Sequence, residues 1–220
     1  MEITAEKIMQ QLSAGTQVAG VIAVFGEEGY YKDKIAAALP RAVFGDAAPE
    51  DREITVFECD TDIKEISAAV NTYPFFSGRS LVIIKDEKLW GGKDGGEKRK
   101  QQQEELAELL ADVPEHCQVL LLGEKIDKRG KLYKSLLKTA AMVECKSLKS
   151  YQLKPWLNEQ AALRGCRFDY EASQTIMEYL SVTDNAPLLL LEQEIEKLSV
   201  YAGERKIWTK DDIEQTFAAL

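Results

Sequence analysis

Short apolar runs rich in β-branched residues alternate with segments of helical period over the first two thirds of this chain. Five runs read as strands, at residues 21–25, 54–58, 81–85, 119–122 and 142–145. Three are nearly continuous in apolar residues, as strands covered on both faces are. Ile54, Val56 and Glu58 alternate more loosely with Thr55 and Phe57, which puts the second strand nearer an edge. Between the runs, apolar positions recur at helical spacing over about 5–14, 30–39, 62–71, 102–111 and 131–140. Strand and helix in alternation predict a doubly wound parallel sheet with helices on both faces. The run from Gly91 to Gly96, followed by charged residues 97–100, has the composition of a solvated loop.

From about Ser150 the pattern turns to helices only. Ser150 is the expected N-cap of a helix carrying Leu153, Trp156, Leu157 and Ala161 on one face and stopped by Gly165. A second helix starts at Asp169 with Ala172, Ile176, Met177 and Leu180 inward. A third carries Leu188, Leu191, Ile195, Leu198 and Ala202 before Gly203. Thr209 and Asp212 form a capping box for a last helix with Ile213 and Phe217. The expected division is therefore an α/β domain over 1–147 and a small helical domain over 148–220.

Composition narrows the chemistry. A formal charge of −9 lacks the clustered basic surface of a dedicated DNA-binding protein. Cys59, Cys117, Cys145 and Cys166 show no metal-binding spacing, and the single histidine, His116, completes no zinc set, so reduced thiols and no metal are expected. Neither a leader sequence nor an apolar run of about 20 residues is present, which points to a cytoplasmic chain that engages no membrane. His116 beside Cys117 reads as a surface histidine next to a core cysteine, because neighbouring strand residues point to opposite faces.

A sheet domain followed by a helical lid is the architecture of nucleotide-driven motors, so the turn after the first strand is the decisive place. A phosphate-binding loop needs G-x-x-x-x-G-K-[ST] there. This chain has Gly26, Glu27, Glu28, Gly29, Tyr30, Tyr31, Lys32 and Asp33. Lys32 falls at the lysine position, but Tyr31 replaces the second glycine and Asp33 the hydroxyl residue. Glu27 and Glu28 add two negative charges where a triphosphate would sit. No nucleotide, and no other cofactor, is expected. Asp86 and Glu87 after the third strand resemble an acidic metal-positioning pair only faintly, since no phosphate cradle accompanies them.

Several phrases, in order along the chain, resemble the delta subunit of bacterial DNA polymerase III. They are Val24 to Glu28; Tyr73, Pro74, Phe75, Phe76, Ser77, Gly78 and Arg79 leading into Ser80, Leu81, Val82 and Ile83; Asp127, Lys128 and Arg129 with Lys131 and Leu132; Trp156; and Glu194, Ile195, Glu196, Lys197 and Leu198. The resemblance implies an AAA+-like fold, a subunit of the polymerase holoenzyme with no catalysis of its own, and a wedge of two apolar residues that enters a pocket of the sliding clamp. Phe75 and Phe76 hold the wedge position, flanked by Tyr73 and Pro74. Neighbouring side chains lie about 100° apart on a helix and point oppositely on a strand, so at least one ring is expected at the surface and the other can be structural. The implied partners are the clamp (beta subunit), the gamma/tau and delta prime loader subunits, and primed DNA reached through the complex. The family's third, collar-forming domain is not expected in this chain, which alone would be a monomer. Two rival readings compete with this one: a nucleotide-binding AAA+ ATPase resting on Lys32, Asp86 and Glu87, and a DNA-contacting module using Lys98, Arg99 and Lys100 or Lys128, Arg129 and Lys131.

Overall fold

The computed structural model describes residues 1–15, 19–59, 61–85, 89, 96–181 and 188–217, without the side chains of 98 and 99. It divides into two compact units, Met1–Lys146 and Ser147–Leu220.

The first unit is built on five parallel strands: β1 (Val21–Phe25), β2 (Glu53–Phe57), β3 (Ser80–Ile84), β4 (Cys117–Gly123) and β5 (Ala140–Glu144), in the order β2-β3-β4-β1-β5. Every residue of β1 and β3 is buried, the condition that selects their unbroken apolar runs. The edge strand β2 leaves Ile54 and Val56 exposed, in keeping with its looser pattern. At the opposite edge the N-terminus extends the sheet, with Ile3 N–H donating to Met142 O at 2.9 Å and Met142 N–H to Met1 O at 2.9 Å.

Among the described residues the helices of this unit include α1 (Ala5–Ser13), α2 (Gly29–Phe44), α3 (Ile63–Asn71), α4 (Gly96–Leu109) and α5 (Lys131–Thr139). Ile66, Leu106, Leu110 and Leu136 from α3, α5 and the α4 region share one core with Ala23, Phe25, Val82, Ile84, Val119 and Leu121. The alternate residues Ile22 and Val24 are equally buried, on the other face, as strand geometry requires. Two expectations change. Helix α2 does not stop near Leu39 but runs through Pro40 to Phe44. An internal proline costs about 3 kcal/mol, and burying Val43 and Phe44 in the following turn offsets it. Helix α4 begins at Gly96, so residues 97–100 are helical rather than loop. Glutamate, lysine and arginine are good helix formers, and the turns beyond are anchored by buried Leu106. Residues 91–95 of that expected loop lie outside the described residues.

The second unit holds α6 (Ser150–Leu163), α7 (Tyr170–Ser181), α8 (Leu188–Ala202) and α9 (Lys210–Thr216). It is not purely helical: Arg167–Phe168 (β6) and Ile207–Trp208 (β7) pair in a short parallel ribbon. Gly165 and Gly203, at φ 67° and 58°, release the chain from α6 and α8 in the left-handed conformation that glycine adopts without penalty. The ribbon then brings Phe168 and Trp208 edge to face, 5.2 Å apart, in the core. Each strand ends at a cap, since Asp169 Oδ1 accepts from Ala172 N–H at 2.7 Å and Asp212 Oδ2 from Thr209 N–H at 2.9 Å. Ser150 is the first helical residue rather than the cap. Lys149 precedes it, with its N–H donated to Gln152 Oε1 at 3.0 Å.

Candidate functional site

Parallel strands give the sheet two unlike ends. The turn 26–33 follows β1 at the carboxyl end, where open α/β sheets hold their ligands, whereas the aromatic segment 72–79 precedes β3 at the amino end.

At the carboxyl end, Gly26 has φ 131°, a conformation confined to glycine, and the backbone of Cys145 just past β5 packs directly over it. Glu28 N–H donates to Cys145 O at 3.2 Å and Cys145 N–H to Phe25 O at 2.6 Å. Helix α2 then starts with Glu28 as its cap, one carboxylate oxygen accepting from Tyr30 N–H at 3.0 Å. A helix N-terminus attracts anions, and here the attracted anion is the chain's own side chain. Lys32 Nζ, at the lysine position of the motif, donates to Gly26 O at 2.8 Å. Tyr31 is buried with Tyr30, their rings edge to face at 5.0 Å, while Glu27 and Asp33 are exposed. Burial pushes the Cys145 thiol up to about 12, against the opposing pull of Lys32, so it remains a thiol. Asp86 and Glu87 lie outside the described residues.

At the amino end, α3 closes with Asn71 Nδ2 donating to Ser67 O and Thr72 Oγ1 to Ala68 O, at 2.8 and 2.7 Å. Tyr73 follows, its ring tilted against His116 at 5.1 Å. Pro74 is buried, and its ring disfavours helical geometry at Tyr73. Phe75 and Phe76 come next, 86 % and 67 % exposed, edge to face at 5.2 Å. Phe75 N–H donates to Glu53 Oε1 at 2.9 Å. Gly78 turns the chain at φ 66°, Ser77 Oγ donates to Arg79 O at 2.7 Å, and Ser80 N–H meets His116 O at 2.9 Å as β3 begins.

Neither phenylalanine is structural: both rings stand in solvent, and the buried member of the group is Pro74. His116 is not a plain surface histidine, for it is half-buried under Tyr73 with Nε2 out of contact with water and without a hydrogen-bond partner among the described residues. Cys117 beside it is buried, its thiol raised by that burial, with the Ser80 hydroxyl opposing. The basic cluster is neutralised internally. Lys128 pairs with Glu144 at 2.8 Å, Arg129 with Asp127 at 3.7 Å and Lys131 with Glu104 at 2.8 Å. The Lys98 and Arg99 side chains lie outside the described residues. Among the described residues no group of His, Cys, Asp or Glu could hold a metal ion, and no helix is long and apolar enough to cross a membrane. Glu53 escaped the sequence reading altogether, because a glutamate opening an edge strand carries no local signal of a bond 22 residues away.

The sequence model of the DNA polymerase III delta subunit matches residues 25–146, more than half of the chain and both ends of the sheet just described. The chain belongs to the DNA polymerase III delta-subunit family. The DNA polymerase III subunit delta of Bacillus subtilis (strain 168) is 28% identical over 205 residues, covering 92% of this chain and 58% of that protein. The solved Bacillus subtilis DNA clamp loader delta protein shares the fold with a TM-score of 0.76 at 26% identity, over 98% of this chain and 63% of that one. The delta-family chain described here thus spans about three fifths of the length of the relatives it matches.

Proposed function

We propose that this chain is the clamp-engaging part of a clamp loader, acting in the cytoplasm during DNA replication, and that it grips the sliding clamp with Phe75 and Phe76 without binding nucleotide. The exposure of two adjacent phenylalanines on a segment tied at both ends carries the reading. Together the two rings present about 300 Å² of apolar surface, a gross driving force of about 7 kcal/mol on burial, part of which association costs consume. Buried aromatic anchors of this kind dominate interface energies. Against a nucleotide, the α2 N-terminus is capped by Glu28 and Lys32 is turned to Gly26 O, so a triphosphate would meet carboxylates in place of a cradle.

The work done is mechanical. A partner that binds one clamp conformation better than another shifts the ring toward it, by no more than the difference in affinity. Tyr73 and Pro74 frame the aromatic pair. Other loader subunits, gamma/tau and delta prime, and primed DNA reached through the complex, are partners of the whole assembly, whereas the chain alone is a monomer. Surface binding to the cognate clamp tests the reading: wild type binds, and Phe75→Ala/Phe76→Ala weakens binding by about 100-fold or more, near 2.7 kcal/mol. Equal binding by the two would refute it. Calorimetry with ATP and magnesium is expected to give no binding heat, and a tight magnesium-dependent isotherm would favour the ATPase reading instead.

A further inference from the structure

We propose that Glu53 is the positioning residue of the aromatic pair: its carboxylate accepts the Phe75 N–H and fixes the direction in which both rings are presented. The inference rests on the reading of Phe75 and Phe76 as the binding surface and adds to it a residue outside the segment. Glu53 is the first residue of β2, in register with Ser80, the residue at which the segment 72–79 re-enters the sheet. From there its side chain reaches back to the middle of the segment, with Oε1 at 2.9 Å from Phe75 N. An amide on an exposed loop could be satisfied by water, so a bond to a carboxylate from a different strand has no role in solvating it. It does restrict the loop, because a charge-assisted bond is the stronger kind.

The second oxygen of the same carboxylate strengthens the assignment. Glu53 Oε2 is shielded from solvent and has no hydrogen-bond partner among the described residues. Withdrawing a carboxylate oxygen from water without a partner is unfavourable. Nothing in the sheet asks for a carboxylate here, since β2 is an edge strand whose Ile54 and Val56 are themselves exposed. Groups that break a local rule gather where function requires them. With Pro74 buried on one side and the Phe75 N–H held on the other, the backbone from which the two rings project is restrained while the bond lasts. A surface held in its bound form loses less freedom on association, and this is the effect Glu53 supplies.

Binding of wild type, Glu53→Gln, Glu53→Ala and Phe75→Ala/Phe76→Ala to the immobilised cognate sliding clamp tests the proposal, with thermal melting and amide hydrogen exchange at Phe75 read on each. The glutamine carbonyl can still accept the Phe75 N–H, whereas alanine cannot. Glu53→Ala is expected to weaken binding about tenfold and to speed exchange at the Phe75 amide, and Glu53→Gln to stay within about threefold of wild type on both counts. Glu53→Met, which keeps the bulk and lacks the acceptor, replaces the alanine variant if that one melts early, and the same tenfold loss is expected. If the acceptor-less variant binds as wild type while the Phe75-Phe76 double variant does not, the positioning role falls and the wedge reading stands. Glutamine as damaging as alanine overturns it too, since the hydrogen bond would then not be the cause. If wild type itself shows no clamp binding, the wedge reading fails and this proposal with it.

Discussion

Gly26→Ala should destabilise the first unit severely, although Gly26 lies in a turn without the second glycine and the hydroxyl residue of a phosphate loop. A methyl group built on Gly26 would lie 1.9 Å from Cys145 O and 2.6 Å from Cys145 C, both backbone atoms that no rotamer change can move. Ordinary contact between carbon atoms lies near 3.5–4.0 Å, so relief requires a shift of more than about 1 Å between the ends of β1 and β5. That shift breaks the Cys145 N–H bond to Phe25 O and the Glu28 N–H bond to Cys145 O, each worth about 1 kcal/mol. Holding alanine at φ 131° adds about 1–3 kcal/mol. The sum is about 3–5 kcal/mol, and at about 2–4 °C per kcal/mol for a domain of this size the melting temperature falls by about 10 °C. Gly29→Ala is the control: nothing lies within 4 Å of its Cβ position and it is the first residue of α2, so it should be neutral or slightly stabilising. Thermal unfolding followed by circular dichroism checks both. A Gly26→Ala protein melting within about 2 °C of wild type, or a Gly29→Ala protein equally damaged, would refute the account of why glycine stands at position 26.

Two further outcomes are expected. In the second unit, burial disfavours ionisation of Asp212, but the Arg205 guanidinium and the backbone and hydroxyl donors of Thr209 outweigh it and hold the carboxyl below its usual range. A folded value below the unfolded one means that this stability is complete above the ordinary carboxylate range and disappears as pH falls through the folded value. Asp212→Asn should therefore cost about 1 kcal/mol at pH 7 and almost nothing at the acid limit where both proteins still fold, as urea unfolding monitored by tryptophan fluorescence would report. A deficit independent of pH would contradict this. A thiol-specific chromogenic reagent near neutral pH should label the exposed Cys59 first, leaving Cys117 and Cys145 unreactive until the protein is denatured. Equal labelling rates for Cys59 and Cys145 would show that the end of β5 is open.

The sheet was legible in the sequence because buried parallel strands demand unbroken apolar runs. The five strand positions differ from expectation by no more than about two residues at either end, and the loose alternation of Ile54 and Val56 correctly marked an edge. What escaped depends on partners distant along the chain. Helix α2 crosses Pro40 because Val43 and Phe44 find a core there, a tertiary gain that local rules do not weigh. Strands β6 and β7 are two residues each, too short to show any period. The turn after β1 was legible as a set of departures from a motif, yet only the folded chain reveals that Glu28 and Lys32 bond within the turn itself. The aromatic pair was legible mainly through the family resemblance, since adjacency alone put at least one ring at the surface; that both are exposed, beside a buried Pro74 and a Glu53 bond to the Phe75 N–H, is seen only in the folded chain.

The two sequence signals stand at opposite ends of the sheet, which keeps the turn after β1 and the aromatic segment physically independent. Strands of five residues rise about 17 Å, so the turn at the carboxyl end of β1 and the segment at the amino end of β3 are separated by the full height of the sheet. The internal bonds that fill the first therefore involve none of the groups that hold the second. The supports of the aromatic segment, Glu53 at the start of β2, His116 just before β4 and Ser80 at the start of β3, all belong to the amino end. Those of the closed turn, Cys145 after β5 and the first turn of α2, belong to the carboxyl end. A substitution at either end that leaves the first unit folded can thus be read without correction for the other, because sites this far apart that share no partner act nearly additively. That separation is what allows loss of the proposed clamp binding and loss of fold to be told apart in the same protein.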